Sequence, residues 1–171
     1  EHFTSALTIK PATIAPASGE VKDHRYEPGD RIGNYEIIRE LDAGGFGVVY
    51  FAQQHEPVRR EVALKVLLSK RCTDTFIQGF DAERQTLADM SHPGIAHFYD
   101  AGLTQHNQPF FVMEFVSGKP ITDYCDEHRL TIEQRLSLFA DVCKAVQHAH
   151  NKGIIHRDLT PNNILVSKGD Y

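Results

Sequence analysis

The sequence predicts an α+β fold, in which a small antiparallel sheet with one helix is followed by a helical region. The sheet is indicated by apolar, β-branched runs on either side of a glycine-rich turn, and the helices by apolar residues that recur every three or four positions. The chain has 171 residues, of which 41% are hydrophobic and 24% charged, and this composition is typical of a globular protein with one moderate core.

Four runs have the length, composition and flanking turn residues of strands. They cover residues 35–41, 48–51, 61–67 and 110–113. The first two flank a turn with three glycines, which predicts a β-hairpin. Before them, residues 1–33 contain three prolines and no sustained periodicity, so we expect a flexible leader that precedes a folded domain beginning at residue 34.

Two helices are indicated by apolar residues at steps of three and four. The inward face of the first, over residues 76–90, comprises Phe76, Phe80, Glu83, Leu87 and Met90. The predicted buried face of the second comprises Ile132, Leu136, Phe139, Cys143 and Val146. Thr131 and Gln134 predict a capping box at the start of the second helix, and Gly153 predicts its end. We therefore expect the second helix to be a buried scaffold element.

Composition argues against several classes of protein. The net charge of −5 and the pI near 6.0 disfavour nucleic acid as the main partner. No apolar run approaches the roughly 18 residues that a membrane-spanning helix requires. Cys72, Cys125 and Cys143 are odd in number and widely spaced, unlike a disulfide framework or a zinc site. We therefore expect reduced thiols in a cytoplasmic protein.

The most informative stretch reads His156-Arg157-Asp158-Leu159-Thr160-Pro161-Asn162-Asn163. Asp158 and Asn163 are five positions apart, so that one loop can aim a carboxylate at a substrate hydroxyl and an amide oxygen at a metal ion. This arrangement is typical of phosphoryl transfer. The stretch resembles the H-R-D-L-x-x-x-N catalytic loop of the protein kinases, and this resemblance predicts further motifs upstream in a fixed order.

A glycine-rich loop is the first of these motifs. It reads Leu41-Asp42-Ala43-Gly44-Gly45-Phe46-Gly47-Val48-Val49 and is similar to the kinase loop whose backbone amides approach the nucleotide phosphates. The residues that the resemblance implies at the nucleotide are Leu41, Gly44, Gly45, Phe46, Gly47 and Val49. Asp42 departs from the pattern, since the family has its first glycine there. Glycines between two strands are also typical of ordinary hairpin turns, so the loop alone is a weak signal.

The second motif, Val62-Ala63-Leu64-Lys65, resembles the V-A-I-K strand of kinases. The period of two in a strand places Ala63 and Lys65 on one face. The resemblance implies that Ala63 packs against adenine and that Lys65 holds the α- and β-phosphates. Glu83 would be a costly buried carboxylate unless a cation meets it, so we predict a Lys65–Glu83 ion pair. A solvated Lys65, or a Glu83 that reaches solvent at the edge of its stripe, remains the alternative.

A third segment, from Phe110 to Gly118, resembles the strand and hinge that join the two lobes of a kinase. The resemblance implies that Met113 is the gatekeeper and that backbone groups of Glu114 and Val116 meet the adenine edge. A buried strand followed by a turn is the alternative, because this segment by itself is nonspecific.

The catalytic loop supplies the remaining roles that the resemblance implies. Asp158 would accept the substrate hydroxyl proton, and Asn163 would bind magnesium. Arg157 resembles the arginine that meets a phosphorylated activation loop, and Leu165 would lie beneath the adenine. Thr160 replaces the lysine of the H-R-D-L-K-P-x-N loop typical of serine/threonine kinases, which predicts a slow enzyme because a threonine hydroxyl is neutral and shorter.

The resemblance covers residues 34–171 and is strongest to bacterial serine/threonine kinases of the planctomycete type. It implies a two-lobed kinase fold with a complete N-lobe at about 34–113, a hinge at about 114–118 and a partial α-rich C-lobe at about 119–171. No Asp-Phe-Gly motif follows, so we expect a portion of a catalytic domain that is inactive alone. Its intact parent would use ATP and Mg²⁺ to phosphorylate Ser or Thr hydroxyls of proteins.

Two other functions stay open at this point. A pseudokinase or nucleotide-binding scaffold is favoured by Asp42 and Thr160. A small-molecule phosphotransferase of the kinase-like superfamily shares an H-x-D-x-x-x-x-N loop, but the glycine-rich loop and Pro161 disfavour it. We expect no nucleic-acid partner, and we expect no membrane segment within these residues.

Overall fold

The computed structural model describes residues 23–45, 47–68, 90–156 and 159–167, together with the backbone of residues 4–7. Four residues with a predicted role lie outside the described residues, namely Phe46, Glu83, Arg157 and Asp158. Of the first predicted helix only Met90 is described, and it is buried without belonging to a helix. The chain divides into two compact units, one made of residues 13–88 and 98–115 and the other of residues 1–12, 89–97 and 116–171.

The four predicted strand runs all form strands. In chain order the described strands are β1 (Thr4–Leu7), β2 (Arg31–Ile32), β3 (Tyr35–Gly44), β4 (Gly47–Gln54), β5 (Arg60–Leu67), β6 (Phe98–Leu103), β7 (Pro109–Glu114), β8 (Lys119–Pro120) and β9 (Ile164–Ser167). The described α-helices are α1 (Ile121–Glu127) and α2 (Ile132–Asn151), and a 3₁₀ turn covers Pro161–Asn163.

Six strands form one antiparallel sheet in the order β2-β3-β4-β5-β7-β6, so β5 lies in its interior. One face of the sheet carries the core of this unit. The buried side chains of that core are Tyr26, Ile32, Tyr35, Ile37, Val48, Tyr50, Ala52, Val62, Leu64, Val66, Phe110 and Val112. In β5 the residues that alternate with these core positions are buried as well, which is why its sequence is almost continuously apolar.

The folded part of this unit begins earlier than predicted. Tyr26 is buried in the core, and its backbone N–H donates a hydrogen bond to the hydroxyl of Tyr50 at 3.1 Å. Ile32 is also buried, and β2 pairs with β3. The expectation of a flexible leader up to residue 33 is therefore wrong for residues 23–33, because aromatic and aliphatic side chains in an aperiodic segment still find the sheet's core.

The second unit contains a small antiparallel sheet in which β9 lies between β8 and β1. Its longest helix, α2, has the predicted capping box. The Thr131 hydroxyl accepts from the N–H of Gln134 at 3.3 Å, and the Gln134 side-chain oxygen accepts from the N–H of Thr131 at 2.9 Å. The helix ends at Asn151, and Gly153 follows in the left-handed region with φ 78°, as predicted.

The predicted buried face of α2 is wrong. The residues that it buries are Leu138, Val142, Ala145 and Ala149. Ile132, Leu136 and Phe139 are instead 73%, 61% and 57% exposed, and Cys143 is exposed as well. Leu138 packs with Tyr124, Cys125 and Val166, which belong to α1 and β9. Both stripes have helical spacing, and the buried one is the stripe whose Leu138 packs on α1 and β9. Among the described residues, no helix is long and apolar enough to span a membrane.

Candidate active site

Three neighbouring strands bring predicted nucleotide-binding residues to one face of the six-stranded sheet. Val49 of β4 pairs with Lys65 of β5, which pairs with Phe111 of β7. The next row on the same face is Phe51, Ala63 and Met113. Directly paired residues of antiparallel strands project from the same side, so Val49, Ala63, Lys65 and Met113 share the face opposite the core. We call these two rows the nucleotide face.

Lys65 is the most informative member of the nucleotide face, because it is only 3% exposed. Lysines are seldom buried to this degree unless they meet negative charge, since desolvating an ammonium group is costly. The alternative of a solvated surface lysine is therefore excluded. The predicted partner Glu83 lies outside the described residues, so the Lys65–Glu83 ion pair stays a prediction.

The glycine-rich turn joins β3 to β4 at the edge of the nucleotide face, where Gly44 pairs with Gly47. A Cβ atom at Gly47 would collide with the backbone carbonyl of Val66 in β5. A Cβ at Gly44 or Gly45 would meet no described atom within 4 Å. Gly47 is thus required by the close approach of β4 to β5, whereas Gly44 and Gly45 leave the outer side of the turn open to a ligand.

Asp42, the departure from the kinase pattern, lies on the same side of the sheet as the nucleotide face. It pairs with Val49 after an irregularity between Glu40 and Asp42, so Asp42, Val49 and Lys65 form one cross-strand row. Leu41 falls within that irregularity and is half-buried. The sequence marks Asp42 as unusual, but only the register places its carboxylate on the same side of the sheet as Lys65.

Two aromatic residues of the nucleotide face were not predicted. Phe51 pairs with Ala63, and its ring centroid lies 4.5 Å from that of Phe115, just beyond the end of β7. The Arg39 guanidinium carbon lies 5.4 Å from the Phe51 ring centroid. Phe111 pairs with Lys65. Phe51 and Phe111 could have been predicted as members of this face only from the strand register, because each is the direct cross-strand partner of a predicted site residue.

The predicted hinge residues lie at the end of β7 and just beyond it. Met113 is buried, whereas Glu114 is exposed and pairs with Val62. Val116 is half-buried and belongs to the other compact unit, which the chain enters between Phe115 and Val116. The predicted contact of the Glu114 and Val116 backbone groups with the adenine edge stays a prediction.

The described part of the predicted catalytic loop contains the 3₁₀ turn. Asn163 is buried, and its N–H donates to the carbonyl of Thr160 at 2.9 Å. The Thr160 side chain is exposed and makes no capping hydrogen bond within the described residues. Leu165 is half-buried in β9, and His156 is buried. Asp158 and Arg157 lie outside the described residues, so their roles stay predictions.

Asn163 fits the predicted role of a magnesium ligand by its chemistry. Mg²⁺ prefers oxygen ligands, keeps several waters and is commonly held by one or two protein groups together with substrate phosphates. Within the described ranges, no three His, Cys, Asp or Glu side chains are grouped so as to hold a metal ion by themselves. A site in which one amide oxygen, nucleotide phosphates and waters hold the ion needs no such group of side chains.

Comparison with known proteins decides the family. The sequence profile of the protein kinase domain matches residues 35–171. The chain belongs to the protein kinase domain family. The chain is 38% identical over 141 residues to the serine/threonine-protein kinase PknA of Mycobacterium tuberculosis, covering 79% of this chain and 32% of PknA. It is 36% identical over 141 residues to the serine/threonine-protein kinase PrkC of Bacillus subtilis, covering 81% of this chain and 22% of PrkC.

Solved structures confirm the predicted kinase-like fold. The crystal structure of the Mycobacterium tuberculosis PknI kinase domain matches this kinase domain with a TM-score of 0.71 and 29% identity, covering 85% of this chain and 60% of that one. The chain thus spans about a third or less of the PknA and PrkC sequences and less than two thirds of the solved PknI domain. Protein kinases use ATP with Mg²⁺ to phosphorylate hydroxyl groups.

Proposed function

We propose that this chain covers the N-terminal portion of the catalytic domain of a serine/threonine protein kinase. The intact protein would transfer the γ-phosphoryl group of ATP to Ser or Thr hydroxyls of proteins. The observation that carries the proposal is the nucleotide face, where a buried lysine lies between Val49 and Phe111 and beside the row of Ala63 and Met113. The similarity to bacterial kinases named for serine and threonine supports the acceptor class.

Three residues of the nucleotide face, together with the glycine-rich turn, have assigned roles in this proposal. The Lys65 ammonium binds the α- and β-phosphates, and the backbone amides at Gly44, Gly45 and Gly47 cradle the phosphates beside it. Ala63 is small enough for a flat purine to pack against it. Met113 closes the inner end of the purine pocket, beside backbone groups at the end of β7.

The remaining roles in this proposal follow from the resemblance to the kinase catalytic loop. The side-chain amide oxygen of Asn163 binds Mg²⁺, which neutralises phosphate charge when bound. Asp158 accepts the proton of the substrate hydroxyl, and Arg157 is available to pair with a phosphorylated residue. Leu165 offers an apolar surface to the purine.

The proposal is tested first by nucleotide affinity in the 171-residue chain. We expect Lys65→Met to lower the affinity for MgATP by about tenfold or more, because it removes a charge-assisted contact to phosphate. Lys144→Met is the control, since Lys144 is 72% exposed in its side chain and pairs with Asp141 on α2. Calorimetric titration measures both. Equal affinities in the two variants would exclude the proposed role of the nucleotide face.

A second candidate function, a catalytically weak kinase or nucleotide-binding scaffold, is favoured by Thr160. Its exposed side chain lacks the charge of the lysine that occupies this position in typical serine/threonine kinases. Loss of one transition-state contact costs about 2–4 kcal/mol, so we expect a slow parent enzyme in which Thr160→Lys raises kcat with little change in the KM for ATP. A parent with no detectable phosphoryl transfer, with or without this substitution, would favour the scaffold.

The compartment and the other partners are also part of the proposal. Cys125 and Cys143 are free thiols, one buried and one exposed, which supports a reducing, cytoplasmic environment. The protein partners are substrates with Ser or Thr residues, and the charge of the chain offers no basis for a nucleic-acid partner. We expect the 171-residue chain alone to bind nucleotide but not to phosphorylate peptides.

A further inference from the structure

Asp42 places a negative charge beside the predicted phosphate site. It shares a cross-strand row with Val49 and Lys65, and it is exposed, whereas Lys65 is buried. Adjacent strands are spaced about 4.8 Å apart, so the backbone positions of Asp42 and Lys65 lie roughly 10 Å apart on the same face. This cross-strand row thus has the Asp42 carboxylate at one end and the Lys65 ammonium group near its middle.

The charge of Asp42 acts on any anion that binds at this face. A phosphate chain that reaches both Lys65 and the amides of the Gly44–Gly47 turn lies within roughly one Debye length, about 8–10 Å, of the Asp42 carboxylate. The repulsion grows with the negative charge of the ligand, and a bound divalent cation reduces that charge. Asp42 therefore penalises a free nucleoside triphosphate more than the same nucleotide complexed with Mg²⁺.

We propose that Asp42 is a specificity-determining residue, which makes this site select the Mg²⁺-complexed nucleoside triphosphate over the metal-free form. The inference rests on the proposed function, because it requires that phosphates bind beside Lys65. The inference goes beyond the proposed function, because it assigns a role to Asp42, the residue that replaces the first glycine of the family's loop. A glycine at this position has no charged side chain and so contributes nothing to this discrimination.

The experiment compares affinities for ATP with excess Mg²⁺ and for ATP with a chelator, in the 171-residue chain. The ratio of the two dissociation constants measures the selectivity. We expect Asp42→Asn, which keeps the size of the side chain and removes its charge, to reduce that ratio by roughly threefold or more, mainly by improving the binding of metal-free ATP.

Glu40→Gln is the matched control. Glu40 is on the same strand and exposed, but it pairs with Tyr50 and so projects from the opposite, core face of the sheet. We expect its ratio to equal that of the wild type. A ratio unchanged in Asp42→Asn, or lowered as much in Glu40→Gln, would overturn the inference. If the wild-type chain bound neither form of ATP, the proposed nucleotide function itself would fail, and this inference would fall with it.

Discussion

Strand β5 and helix α2 both combine apolar stripes with a few polar residues, yet their burial differs. β5 is buried on both faces, with Leu64 in the core and Lys65 on the nucleotide face. α2 buries the stripe that contains Leu138 and leaves the stripe that contains Leu136 and Phe139 exposed. In a strand paired on both edges, the register fixes which side chains share each face, whereas a helix with two apolar stripes is oriented by the element that packs against it.

The largest expected effect tests the orientation of α2. We expect Leu138→Ala to lower the free energy of unfolding by about 2–5 kcal/mol, because it leaves a cavity against Tyr124 and Val166. Leu136→Ala is the matched control on the same helix, and since Leu136 is exposed we expect a change of less than about 0.5 kcal/mol. Chemical denaturation of the 171-residue chain measures both. The reverse order would mean that the stripe predicted from sequence is the buried one.

An intermediate effect tests how tightly β5 meets the glycine-rich turn. We expect Gly47→Ala to lower the free energy of unfolding by about 1–3 kcal/mol, because its Cβ collides with the carbonyl of Val66 and the strands must separate. Gly44→Ala has open space around its Cβ, so we expect a stability within about 1 kcal/mol of the wild type. The same denaturation experiment compares them. Equal stabilities would show that the strand register at this turn is different.

The smallest expected effect concerns the pH dependence of the unit that contains α2. The rings of His92 and His148 have centroids 5.0 Å apart, and the Nε2 atom of His148 is buried with no hydrogen-bond partner among the described residues. Desolvation by burial, and to a lesser extent His148, lowers the pKa of His92 below its usual 6.5. Nδ1 of His92 accepts a hydrogen bond from the N–H of Gly94 at 3.0 Å, a bond that protonation would break.

The sign of this pH effect follows from the lowered pKa. The unfolded chain takes up the His92 proton near the usual value, whereas the folded chain takes it up only at lower pH. The stability linked to His92 is therefore fully present above about pH 6.5 and is lost as the pH falls through the lower folded pKa. We expect His148→Gln to weaken this loss, measured as the shift of the urea midpoint between about pH 7.5 and about pH 5.5.

His150→Gln is the control for this measurement. His150 is on the same helix but exposed, and we expect it to leave the pH dependence of the midpoint unchanged. His148 and His150 are two positions apart and hence lie on different sides of α2. A pH dependence that His150→Gln reduces as much as His148→Gln does would show that the contact between His92 and His148 is not its source.

Much of the fold was predictable because its signals are local. The four strand runs, the capping box of Thr131 and Gln134 and the end of α2 before Gly153 all depend on residues within a few positions of one another. The position of Ala63 and Lys65 on one face follows from the period of two in a strand. The packing of Tyr26 was not predictable, because its partner Tyr50 lies 24 residues away and its own segment has no periodicity.

The sequence by itself determined the family, since short motifs in a fixed order specify a kinase domain whatever their packing, and the profile match over residues 35–171 agrees with them. Only the tertiary structure decided which stripe of α2 is buried, how deeply Lys65 is desolvated and that Asp42 shares its face. The physical reason is the range of the interactions. Dihedral preferences, caps and periodicity act within a few residues, whereas burial and shared faces depend on which distant segments become neighbours.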